Sequence, residues 1–189
     1  MVNLARSLTI GAAFASFALT ALSTPALAEK PKWANKSDST IVEFAVGASG
    51  TPNDFDTNGE DFDILVAALL ATGVVGIFDG TDYTVFAPND QAFYDLTGTD
   101  NDTDAFNAVV DLLGVDGVAA VLAYHVTDGV RNSRSVVSAK RISMLDGNTI
   151  SYDRAMSLII ANQSAAGLLN IDNRLADGMV HVIDTVLLP

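Results

Sequence analysis

From Arg141 to the C terminus the apolar residues recur at every second position, whereas between Ser37 and Ala123 they mostly recur at spacings of three and four. Side chains alternate between the two faces of a strand but return to one face of a helix each turn, so this change of period splits the chain into a mainly helical part and a run of strands. That order specifies an α+β domain, with helices covering a sheet that the second half largely supplies. Ile142 to Leu145, Thr149 to Tyr152, Leu158 to Ala161, Leu168 to Ile171 and Met179 to Asp184 read as strands of an antiparallel sheet. Asp146-Gly147-Asn148 and Asp177-Gly178 supply turns between them. Upstream, Thr40 and Glu43 have capping-box spacing in a helix over Ser37 to Val46, and further helices are expected over 62–71, 104–113 and 116–123. Val74 to Phe78 is a short apolar turn closed by Asp79-Gly80. Strands are expected at Tyr83 to Ala87, which alternates and is rich in β-formers, and at Tyr124 to Thr127.

Residues 1–28 stand apart from this pattern. Arg6 is their only charge, an apolar run extends from Leu8 to Leu22, Pro25 breaks it, and Ala26-Leu27-Ala28 is a small-x-small cleavage signature. This is the pattern of a secretory signal peptide cut after Ala28. A transmembrane anchor is the competing reading, but it calls for about 20 apolar residues and a stop-transfer flank. A polar lead at 29–36 follows, with Pro31 and the only tryptophan, Trp33, expected to pack as a lid; the domain proper is residues 37–189. The mature chain carries 9 basic residues against 23 acidic ones. Such an excess repels nucleic-acid phosphates and anionic lipid surfaces, so neither is expected as a partner, nor is membrane insertion after the signal is removed. Without cysteine, disulfides and thiolate metal sites are excluded.

Three short strings carry more specific information: YTVFAPNDQAF at 83–93, LAYHV at 122–126 and GMVHVIDTVLLP at 178–189. In the first, Val85 and Phe86 place apolar side chains on opposite faces of a strand, as a strand covered on both sides requires. Pro88 and Asn89 then switch the backbone from strand to helix, where Asp90 and Gln91 suit the positive end of the dipole, and Phe93 returns a ring to the core. In the last string, Val180 and Val182 share one face while Met179, His181 and Ile183 share the other. The two end strings are expected to lie side by side.

These strings, in this order and at this spacing, resemble the two homology motifs and the intervening tyrosine-histidine motif of fasciclin (FAS1, beta-Ig-H3) domains. The resemblance runs from about Ser37 to Pro189. It implies a wedge-shaped β-sandwich with several helices packed on it, exported from the cell, and acting in cell adhesion or in the extracellular matrix. In animal fasciclin domains the tyrosine-histidine region is connected with integrin binding; the matching positions here are Tyr124 and His125, although the flanking residues differ from the animal sequences.

From chemistry alone, His125 reads as a neutral imidazole bonded to backbone groups in the core. A hydrolase needs a nucleophile, a base and an orienting acid within reach. The chain has no G-x-S-x-G elbow and no H-E-x-x-H helix, and its acid pairs fall mostly in polar loops, so no enzyme is expected. Asp54, Asp56, Asn58 and Gly59 reproduce the first half of a calcium-binding loop, but Leu65 occupies the twelfth position, where a bidentate Glu belongs. A hydrated loop without a cofactor is the simpler reading there, and Asp100, Asn101, Asp102 and Asp104 read equally well as a solvated loop and helix cap.

Two functions follow. One is a secreted or periplasmic adhesion module that binds a protein or glycan on a cell surface or matrix; the other is a soluble small-ligand or sugar-binding domain. A closed interior with an exposed apolar patch favours the first, and a cavity of several hundred cubic ångströms between sheet and helices the second.

Overall fold

The computed structural model of the chain describes residues 37–49, 55–78 and 81–189. The signal segment, the polar lead with Trp33, Asp54 and the Asp79-Gly80 turn lie outside the described residues.

Helix α1 (Ile41–Ala48) begins where its capping box dictates. Thr40 Oγ1 accepts the Glu43 amide (3.2 Å) and Glu43 Oε2 accepts the Thr40 amide (2.8 Å), so residues 37–40 stay outside the expected helix. Helix α2 (Asp63–Thr72) ends at Gly73, whose φ of +68° gives the left-handed stop, and a 3-10 turn covers Val74–Ile77. Strand β1 (Tyr83–Pro88) passes into α3 (Asp90–Thr97), capped by Asn89 through the Ala92 amide. The two helices expected over 104–123 are halves of α4 (Asp102–Tyr124), broken at Gly114 (φ 68°, ψ 167°). Among the described residues, α4 is the one helix long and apolar enough to cross a membrane, but its buried residues Ala105, Val109, Val118 and Leu122 pack into the core with α2. It also consumes Tyr124, so β2 is only Val126–Asp128. The sequence pattern did not reveal α5 (Ser133–Ser138), a helix too short to show a period.

The remaining strands are β3 (Ile142–Ser143), β4 (Thr149–Asp153), β5 (Leu158–Ile160), β6 (Ala165–Leu175) and β7 (Gly178–Ile183). The α+β class is as expected, and the strands of the wedge are joined edge to edge in one open order, β2-β1-β7-β6-β5-β4-β3. The strands from β3 to β7 pair antiparallel with one another, as expected, and the sheet as a whole is mixed because β1 and β7 run parallel, with Val85 opposite Val180 and Ala87 opposite Val182. Sequence period reports which face a residue occupies and carries no strand direction. The two end strings do lie side by side. Gly178 permits this, because a Cβ there would stand 2.1 Å from the Tyr83 carbonyl oxygen.

Both faces of the β1/β7 pair are covered. Val85, Val180 and Val182 join α1 to α4 in one apolar cluster, while Phe86 and Ile183 join Tyr124, Val136, Ile142, Ile150 and Ile159 in a second. Alternation along two adjacent strands therefore holds two cores together, which is why both strands read as nearly continuous apolar runs.

Candidate functional site

The tyrosine-histidine pair sits at the joint between these cores. Tyr124, at the end of α4, is fully buried in the second cluster; its hydroxyl donates to the Thr149 carbonyl (3.1 Å) and accepts the Asn162 amide (3.2 Å). His125 is 2% exposed. Its Nδ1 lies 2.7 Å from the Val121 carbonyl and its Nε2 2.9 Å from the Leu187 amide nitrogen. A carbonyl requires a donor and an amide an acceptor, so the ring is neutral with its proton on Nδ1. Burial lowers its pKa from 6.5 to about 4, although the Val121 carbonyl favours the charged form. Tyr124 thus ties α4 to β4 and the β5–β6 turn, and His125 ties it to the C-terminal segment. Both side chains are withdrawn from solvent, so neither offers its ring directly to a partner.

His181, the other histidine, stacks on Phe86 with ring centroids 5.7 Å apart. Its Nε2 lies 2.8 Å from the Arg131 carbonyl and its Nδ1 accepts the Asp172 amide (3.2 Å); burial lowers its pKa too. Asp172, at φ +64° in an irregular stretch of β6, turns its carboxylate to α5 and accepts the Ser133 amide (2.6 Å) and hydroxyl (2.7 Å). Beside this clamp is an open groove of about 510 Å³, lined by Arg134 and Val137 of α5, Tyr152 of β4, and Leu168, Leu169 and Ile171 of β6. Leu169 and Ile171 are exposed. One wall of this groove is α5, which is too short to show a period in the sequence. Between helices and sheet, by contrast, the void along His125, Phe86 and Val180 is apolar and measures only about 30 Å³.

Acidic residues are placed less as expected. Asp56 Oδ1 accepts the Asn58 amide (2.5 Å), and the Asn58 side chain donates to Asp61 Oδ2 (2.8 Å), so both residues shape their loop. Leu65, the residue at the glutamate position of a calcium loop, is buried in α2. The notion that the acids lie in polar loops fails for Asp61, Asp63, Asp90 and Asp102, all buried. Asp90 does not serve its own helix: its carboxylate accepts the Asp63 (2.8 Å) and Ile64 (3.1 Å) amides, which begin α2. This supplies the cap that Phe62 lacks. Burial, together with the adjoining Asp61 carboxyl, pushes Asp90 up to about 9 against those two amides. Asp102 accepts the Tyr94 hydroxyl (2.5 Å) and the Asp56 amide (2.6 Å), and burial with this partner raises the Tyr94 phenol. The available signal was Asp61-Phe62-Asp63 at the head of an apolar helix, where a carboxylate needs a partner from elsewhere.

The family model described as "Fasciclin domain" matches residues 60–189, more than half of the chain. Transforming growth factor-beta-induced protein ig-h3 from Sus scrofa is 30% identical over 141 residues, covering 74% of this chain but 19% of that protein. Protein sll1483 from Synechocystis is 26% identical over 181 residues and 94% of each chain. Among solved structures, the FAS1 domain pair from the insect cell adhesion molecule fasciclin I matches with a TM-score of 0.56 at 15% identity, covering 80% of this chain and 51% of that one. That last likeness is one of fold.

Proposed function

The chain belongs to the fasciclin domain family, and on that premise we propose that it is an exported interaction module that binds a protein or glycan of a cell surface or matrix, and not a catalyst. The observation that carries this reading is the pairing of a closed interior with an open groove. A void of about 30 Å³ holds about one water, which leaves no room for a sugar between sheet and helices. The groove beside α5 and β6 presents Leu169 and Ile171 next to Arg134, an apolar surface with one cationic handle. Both histidines have their ring nitrogens committed to backbone groups, so neither is free to act as a base. The N-terminal signal pattern and the family support export. Tyr124 and His125 act here as positioning residues: they hold the scaffold whose outer face makes the contact.

Binding of the protein to the surface of its producing cells, or to matrix prepared from them, tests this reading. Leu169→Asp should weaken binding at least about 10-fold, the order expected for a charge set into an apolar contact. Leu112→Asp, at a still more exposed position on α4 away from the groove, should not. Equal binding by both variants would remove the groove from the proposal.

A further inference from the structure

We infer that Asp56, Asp61 and Asp63 form a site for a hard divalent cation, calcium being the ion whose size and ligand preference it suits. One oxygen from each of these three carboxylates lies within 4.8 Å of the others. Two ligands on opposite sides of a calcium ion, each 2.3–2.6 Å from it, are at most about 5 Å apart, so every pair of these oxygens falls within the span of a single ion. Asp63, Asp90 and Asp102 form a second such group, sharing Asp63 and standing behind the first. Five carboxylates therefore converge where α2 begins, beside the first turns of α3 and α4.

The two groups are not equivalent. Each oxygen of Asp90 and Asp102 already accepts a hydrogen bond. Asp61 is different: its side chain is more than nine-tenths buried, Oδ2 takes the Asn58 amide group, and Oδ1 has no hydrogen-bond donor. A buried carboxylate oxygen without a donor is costly, and a cation removes that cost. What the Asp61 carboxyl meets instead is the carboxyl of Asp90, another acceptor, so either a proton or a cation must separate them. Among the described residues, no lysine or arginine pairs with Asp56, Asp61, Asp90 or Asp102, and the ion pair formed is Arg174 with Asp82. Asp56 is exposed and gives the ion its entrance from solvent. This site differs from the linear loop of Asp54, Asp56 and Asn58: it is assembled across the start of α2, with Asn58 orienting a ligand.

The test is calorimetric titration of calcium into chelator-treated protein, with thermal melting in parallel. The expected result is a single saturable site, and a melting temperature about 3 °C higher at calcium concentrations some ten times the dissociation constant. Asp61→Asn should bind calcium at least about 10-fold more weakly. It should also melt no lower than the wild type without calcium, because an amide can donate where the carboxylate could not. Asp56→Asn, at an exposed position, provides the same comparison if Asp61→Asn fails to fold. If the wild type shows neither heat of binding nor a shift in melting at millimolar calcium, a shared proton bridges Asp61 and Asp90, and the inference is overturned. An unchanged affinity in both variants overturns the ligand assignment.

Discussion

His125 gives the fold a dependence on acid whose size follows from its geometry. Its ring is held neutral because Nε2 accepts the Leu187 amide; a second ring proton would face that N–H, the two nitrogens being 2.9 Å apart in the buried core. Its pKa is about 4 in the folded protein against the ordinary 6.5. The sign is that of a group depressed by folding: between these values the unfolded chain takes up a proton that the folded one refuses, so stability is complete above pH 6.5 and is lost as pH falls through 4. At about 1.36 kcal/mol per pH unit, the loss is about 1.4 kcal/mol at pH 5.5 and about 3 kcal/mol at pH 4. That is a large part of the 5–15 kcal/mol typical of a domain.

A plain stability curve would hide this. Without a bound cation Asp90 is raised to about 9, so over the same interval the metal-free folded state holds a proton that the unfolded state has released, and acid favours folding through that group. The two slopes oppose each other between pH 4 and 6.5. The measurement is therefore urea denaturation of the wild type and His125→Gln at several pH values, reading only the difference, since Asp90 and His181 are common to both. The stability advantage of the wild type over the variant should shrink by about 3 kcal/mol from pH 7 to pH 4. A difference that stays constant to within about 0.5 kcal/mol would refute the argument, as would an imidazole titration with its midpoint near 6.5.

Gly178→Ala should destabilise the protein by about 3 kcal/mol or prevent its folding, since the new Cβ would collide with the Tyr83 carbonyl and the Ile41 side chain; a normal melting curve would contradict the β1/β7 register. Tyr124→Phe should cost about 1–2 kcal/mol in urea denaturation, because the Thr149 carbonyl and the Asn162 amide both lose a partner.

What could be read from the sequence was whatever local spacing encodes. Alternation put Val85 and Phe86 on opposite faces, and the two cores meet them there. Thr40 with Glu43, and Asn89 after Pro88, marked helix starts that the backbone uses. His125 was legible as a neutral core residue because an imidazole between apolar neighbours has few other ways to satisfy two nitrogens. Strand direction was not legible: β1 and β7 are parallel because the chain crosses nearly a hundred residues between them, and nothing in either string records that path. The helix α5 was hidden by brevity, and with it the groove.

The acidic residues were misplaced for a different reason. Each of Asp61, Asp63, Asp90 and Asp102 has a local role that a polar loop or helix cap would explain, and charge is the usual mark of a solvated surface. Their burial is a consequence of three helix starts converging, and the amide dipoles at those starts partly compensate the charge they gather. Asp90 shows the trade directly, capping a helix 27 residues upstream of its own position while losing its solvent. Helix ends that meet in space thus create a demand for negative charge that no single one of them shows in the sequence. Once more carboxylates assemble than there are amides to receive them, the surplus oxygen of Asp61 is left facing inward, and it is at that atom that the fold turns from capping helices to recruiting a cation.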